Sequence, residues 1–165
     1  MTSATHPKLH LQAAAAPLLE QHAGPRLALI STSYARLTGR QLLEPTAELS
    51  LALWTAPKVI VAHGTESDPL FFYGNRLALA LFELSAADFI QLPSRLSAEP
   101  LLREERLRLL ERVSRCGYID DYAGIRISST GRRFRIEQAT VWNLVDARGQ
   151  LHGQAATFAH WTALD

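Results

Sequence analysis

The sequence predicts an α+β fold in which a five-stranded antiparallel sheet carries helices on one face and follows an N-terminal helical extension. Three observations predict it. Two short β-branched or aromatic runs, "KVIVAHG" and "LFFYG", are joined by the turn-forming "TESDP". Leucines at helical spacing then run from Asn75 to Cys116, and the last third returns to strand patterning broken only by "SSTG" and "DARG".

The extension, residues 1–56, reads as helical. In "GPRLALISTSYARLTG" the residues Leu27, Ile30, Tyr34 and Leu37 fall on one helical face, with Pro25 near the start and Gly39 at the end. "PTAELSLALWTAP" sets Leu49, Leu53 and Trp54 on one side before Pro57 stops it. The domain proper, residues 57–165, starts with the two strands of a hairpin. Asn75 has the side chain of a helix cap for "RLALALFEL", where Leu77, Leu81 and Leu84 repeat at helical spacing. Ser85 followed by Asp88 marks a further short helix in "SAADFIQ".

"LPSRLSAEP" reads as an irregular segment with a single helical turn at most. The helix ending at Gly117 gathers Leu102, Leu109, Val113 and Cys116 on a common face and sets Glu104 with Arg108, and Glu111 with Arg115, four residues apart. The final strands are "YAGIRIS", "RRFRIEQATVWNLV" and "LHGQAATFAHW". Strict alternation in the middle one puts Phe134, Ile136, Thr140, Trp142 and Leu144 in one phase and Arg133, Arg135 and Glu137 in the other.

At 165 residues with 47% apolar and 20% charged side chains, the chain suits one globular domain with an appendage. A net charge of +1, from arginines interleaved with carboxylates, argues against nucleic acid as a partner. No run is long enough to span a membrane, and "MTSATHPKLH" is no secretion signal, so a cytoplasmic protein is expected. The single cysteine, Cys116, reads as a small buried hydrophobe of the long helix. His63, Glu66 and Asp68 lie close together but match no metal-ligand spacing.

The order of strands and helices is that of a PAS domain, and "HGTESDPLFFYGN", "LPSRLSAEP", "GYIDDYAGIRISSTGRRF" and "VWNLVDARG" together resemble the MEKHLA domain, a PAS-like module, over roughly residues 54–161. Such domains occur as small stand-alone bacterial proteins, the type this sequence is most similar to, and at the C-terminus of plant class III homeodomain-leucine zipper factors. The resemblance implies a sensory, ligand-binding or protein-interaction module. Its helices and inner sheet face enclose a small cavity, and its strands or an N-terminal helix mediate pairing into a homodimer. With no output domain evident in the sequence, a signal is expected to pass to a separate partner.

The cofactor is left unknown, and two are disfavoured. Haem-binding PAS-like proteins draw an axial histidine from the long helix, and "LLREERLRLLERVSRC" has none. Light-sensing flavin versions form an adduct with a cysteine in the irregular segment, where this chain offers Ser94. If a small molecule is bound, the inward polar candidates are Tyr73, Asn75, Arg95, Tyr122, Arg126 and Trp142. An inward arginine at 95 or 126 needs an acidic partner or an anionic ligand. The alternative is a small enzyme of cone-like α+β fold, working with a carboxylate or histidine in an apolar pocket.

Overall fold

The computed structural model describes residues 7–101 and 103–164. Helices α1 (Pro7–Ala23), α2 (Arg26–Thr38) and α3 (Leu49–Thr55) lead into the hairpin β1 (Val59–His63) and β2 (Phe71–Gly74). Next come α4 (Arg76–Phe82), α5 (Ala86–Phe89), a 3-10 turn at Ser94–Ser97 and α6 (Arg103–Cys116). Strands β3 (Tyr118–Ile127), β4 (Arg133–Val145), β5 (Leu151–Phe158) and β6 (His160–Ala163) complete the chain. The sheet is antiparallel throughout, in the order β2-β1-β5-β4-β3.

The expected five strands are six, because "LHGQAATFAHW" breaks at Ala159. Both halves pair with β4: Thr157 lies opposite Thr140, and His160 lies opposite Glu137. Three residues separate each of these pairs on either strand, so β6 resumes the line of β5 without loss of register. The cause lies in β4. Gln138 has φ 52°, a left-handed conformation that a pleated strand cannot absorb, so both strands leave the ladder there together.

That irregularity also overturns the simple alternation expected along β4. Tyr122 pairs with Ala139 and Gly124 with Ile136, so two residues of β3 face three of β4, and the side-chain phase reverses across Gln138. Phe134 therefore meets Phe82 of α4, ring centroids 5.5 Å apart. Trp142, though an even number of residues away, meets Tyr34 of α2 edge-on at 4.9 Å and donates from Nε1 to the Ile30 carbonyl at 3.1 Å. The sheet is thus covered on two faces rather than one. On the face toward α2 the first half of β4 remains polar, with Arg135 and Glu137 3.5 Å apart.

Helix α2 reaches this second face because its apolar stripe has no other cover. Leu27, Ile30 and Tyr34 are buried within the chain. Ser33 adds a polar clasp, donating to the Val145 carbonyl at 3.1 Å and accepting from the Val145 N–H at 2.9 Å. Gly39, at φ 71°, closes the helix by donating its N–H to the Ala35 carbonyl.

The junction of hairpin and helices turns on Asn75, which is wholly buried. Its Oδ1 accepts from the N–H groups of Ala78, capping α4, and of Ile60 in β1, at 3.1 and 3.2 Å. Its Nδ2 donates to the carbonyls of Leu53 and Lys58 at 3.1 and 2.8 Å. Ser85 caps α5 as expected, accepting from Asp88 N–H at 3.2 Å. In α6, Glu111 and Arg115 pair at 2.5 Å.

Two substitutions test these joints. Asn75→Ala strands four buried backbone groups and should lower unfolding stability by about 3–5 kcal/mol, read by urea denaturation; a loss under about 1 kcal/mol would contradict the role assigned to this side chain. Trp142→Phe removes the bond to Ile30 and part of the ring volume. It should cost about 1–3 kcal/mol, with amide exchange rising in α2 before it rises in β1.

Candidate functional site

The inner face of the sheet, the one α4 covers, is the natural place for a site, and much of it is filled. Phe71 stacks on Phe89 of α5 at 4.5 Å, and Phe82 bridges Phe89 and Phe134. Gly74 is required by this packing: a Cβ there would lie 2.6 Å from the Phe89 ring.

Beyond the phenylalanines, α6 and β3 leave a groove of about 610 Å³ that reaches round the β3 edge, lined by Tyr122 and Gly124 of the inner phase and by Ile125 and Arg135 of the other. Leu109 and Ile119 provide apolar wall, Tyr122 and Gly124 lie along β3, and Arg112 pairs with Asp121 at 2.8 Å among the lining residues. The chain after the 3-10 turn is fastened to the same strand, with Ala98 bridging to Arg126 and Glu99 N–H donating to the Ile125 carbonyl at 3.1 Å.

Of the six candidate residues, the structure brings two together. Tyr122 and Arg126 lie on β3, with the Arg126 guanidinium carbon 5.5 Å from the Tyr122 ring centroid. Arg126 is half-buried and, among the described residues, its guanidinium makes no ion pair or hydrogen bond. Burial pulls its pKa below the ordinary arginine value, and the Tyr122 phenol pulls weakly the other way.

The other four lie elsewhere. Arg95 pairs with Asp68 at 3.0 Å on the exposed surface. Asn75 has its two amide hydrogens and two acceptor positions engaged by backbone groups. Trp142 is on the opposite face, against α2. Tyr73 is buried on β2 with no hydrogen-bond partner for its hydroxyl among the described residues. Burial, reinforced by Glu20, raises its pKa well above the usual phenol value.

Cys116 is exposed, against expectation. Val113 is the inward residue of the last helical turns, Cys116 stands about 60° round from it, and Gly117 at once turns the chain into β3. Leu102 falls outside the described residues. Of the three residues weighed as metal ligands, Asp68 is held by Arg95 and His63 Nδ1 lies 3.0 Å from the Gly64 carbonyl. Among the described residues no cluster of three His, Cys, Asp or Glu could hold a metal ion.

Reading by residue type overlooked Leu109, Arg112, Asp121 and Gly124 as groove residues. A signal was present in "YAGIR": a glycine midway between two large side chains on one strand face leaves room for one of them to lie across it. A Cβ at Gly124 would stand 2.6 Å from the Tyr122 hydroxyl oxygen, so the phenol lies back over the glycine.

An antiparallel sheet in this order, with short helices folded over its inner face, defines a PAS-like fold. Solved structures that share it include three of note. One described as an RNA-binding light-oxygen-voltage receptor has a TM-score of 0.58 at 20% identity, over 76% of this chain and 35% of that one. A PAS domain from Colwellia psychrerythraea has a TM-score of 0.56 at 15% identity, over 70% and 92%. The light-oxygen-voltage domain of the blue-light photoreceptor Aureochrome1 has a TM-score of 0.53 at 17% identity, over 76% and 89%. At such identities the likeness is one of fold.

The particular family follows from sequence. Residues 25–163 match the MEKHLA domain, and the chain belongs to the MEKHLA domain family. The matched segment takes in α2 and α3 as well as the sheet. Relatives in Arabidopsis thaliana include homeobox-leucine zipper protein ATHB-9, 31% identical over 145 residues covering 81% of this chain and 17% of that protein. ATHB-14 is 30% identical over 142 residues, covering 81% and 16%. The chain spans about a sixth of the length of these curated relatives.

Tyr73 supplies a test of local chemistry. Tyr73→Phe removes a buried hydroxyl without a partner and should leave stability unchanged or raise it by about 1 kcal/mol; a loss above about 1 kcal/mol would show that the hydroxyl is bonded in solution.

Proposed function

We propose that the chain is a cytoplasmic PAS-like sensory module of the small stand-alone bacterial type. It binds a small molecule at the α6–β3 groove, pairs as a homodimer and passes its state to a separate partner protein. The observation that supports this best is the groove itself, whose volume suits a small ligand and whose walls combine apolar side chains with charged ones of both signs.

Pairing has separate support. Leu107 and Leu110 of α6 are 57% and 47% exposed and stand three residues apart, so they form a small apolar strip on the outer side of the helix. Helix α2 serves the sheet of its own chain in this reading, and α6 carries the contact with a second copy.

The test is native mass spectrometry of protein purified from its own host. A small molecule retained at one copy per protomer is expected, and protein emerging bare under several growth conditions would defeat the ligand reading. In parallel, light scattering from micromolar to millimolar concentration should give a dimer that Leu107→Asp with Leu110→Asp converts to monomer. A monomer throughout would remove pairing from the proposal.

A further inference from the structure

We infer that Tyr122 and Arg126 form a binding site for a small organic monocarboxylate on the inner face of the sheet beside the α6–β3 groove, an inference that rests on the ligand-binding reading above. The placement comes from the ladder. Gly124 lies opposite Ile136 and Arg126 opposite Phe134, and residues directly opposite in an antiparallel pair share a face. Phe134 meets Phe82 of α4 on that face, so Tyr122, Gly124 and Arg126 form a row beneath the helices. Gly124 makes the row possible, because only there can the phenol fold back without meeting a Cβ.

An inward arginine in a folded protein is ordinarily explained by a neighbouring carboxylate. Here that explanation fails. Glu99 is hydrogen-bonded to Arg133, and Asp121, Asp120 and Asp68 are paired with Arg112, Arg40 and Arg95 respectively. Glu83 bonds Ser128 and Thr130 at the β3–β4 turn. Arg126 keeps its charge at a desolvation cost, seen in its lowered pKa, with only an aromatic face 5.5 Å away in return.

The chemistry that would answer this is specific. A guanidinium offers a planar fork of N–H donors matched to the two oxygens of a carboxylate, and the Tyr122 hydroxyl is a further donor on the same row. One positive charge suits a singly charged anion. The charges lining the adjoining groove are balanced, Glu99, Glu105 and Asp121 against Arg108, Arg112 and Arg135, so it adds no net positive charge to meet the second charge of a phosphate dianion. Leu109 and Ile119 provide apolar wall for the body of the ligand.

Benzoate and acetate serve as probes, with inorganic phosphate as the comparison anion, titrated into the full chain by calorimetry and followed by thermal shift. Saturable binding of benzoate is expected, tighter than acetate, with phosphate inert. Arg126→Met should weaken benzoate by more than about tenfold, Tyr122→Phe by about threefold to tenfold, and Arg126→Lys should restore only part of the loss. Without probe, Arg126→Met should melt at or above the temperature of the unmodified chain, which separates loss of binding from loss of fold. Benzoate affinity that is equal in the chain and in Arg126→Met overturns the site. No carboxylate binding, together with a neutral molecule retained in native mass spectrometry, overturns the carboxylate and leaves the module reading standing. Absence of both overturns both.

Discussion

The fold depends first on the side chain of Asn75. One buried amide satisfies a donor at the start of β1, the first turn of α4, the last turn of α3 and the carbonyl of Lys58. A buried backbone group without a partner costs about as much as a hydrogen bond is worth, so four such groups meeting at one point would otherwise be a weak place in the molecule. With the amide in place they become its pivot. The entry of the chain into the sheet and its departure into the covering helices are fixed by the same residue, and the inner aromatic cluster can close only when both are fixed.

From that pivot the sheet acquires two cores of different character. Toward α4 and α5 it is aromatic, with Phe71, Phe82, Phe89 and Phe134 in mutual contact. Toward α2 it is built around Trp142, with the Ser33 clasp at its end. Arg126 sits on the aromatic side where the covering thins toward the groove. The proposed site is therefore a property of the sheet's margin, while the centre of the inner face is occupied by the protein's own side chains.

Much of this was legible in the sequence. The caps at Asn75 and Ser85, the stop at Gly39 and the strands bounded by "TESDP", "SSTG" and "DARG" are signalled by residues whose local chemistry acts without tertiary help. What could not be read was decided at a distance. No residue-type signal marks Gln138 as left-handed, since glutamine has no special tolerance for that conformation, and so the faces of Phe134 and Trp142 were assigned together. The exposure of Cys116 depends on how soon the chain leaves α6. The candidate site was half legible: the need of an inward arginine for an anion follows from its charge, but which arginine lacks a carboxylate depends on pairings such as Glu99 with Arg133, 34 positions apart.

The reversal at Gln138 gives the chain something like a reading frame. Residues 133–137 and 139–145 are each in phase with their own core, and a single residue holds the two phases apart. A deletion in the "DARG" turn would shorten a surface connection, the kind of change that homologous proteins commonly absorb. An ordinary extended conformation at 138, with the chain length unchanged, would instead turn every later side chain of β4 to the wrong side, offering Trp142 to the aromatic cluster and Val141 to α2, whereas loss of residue 138 itself would leave both phases in place. What the middle of this strand must keep through divergence is therefore the left-handed turn at 138 for as long as it keeps the residue there.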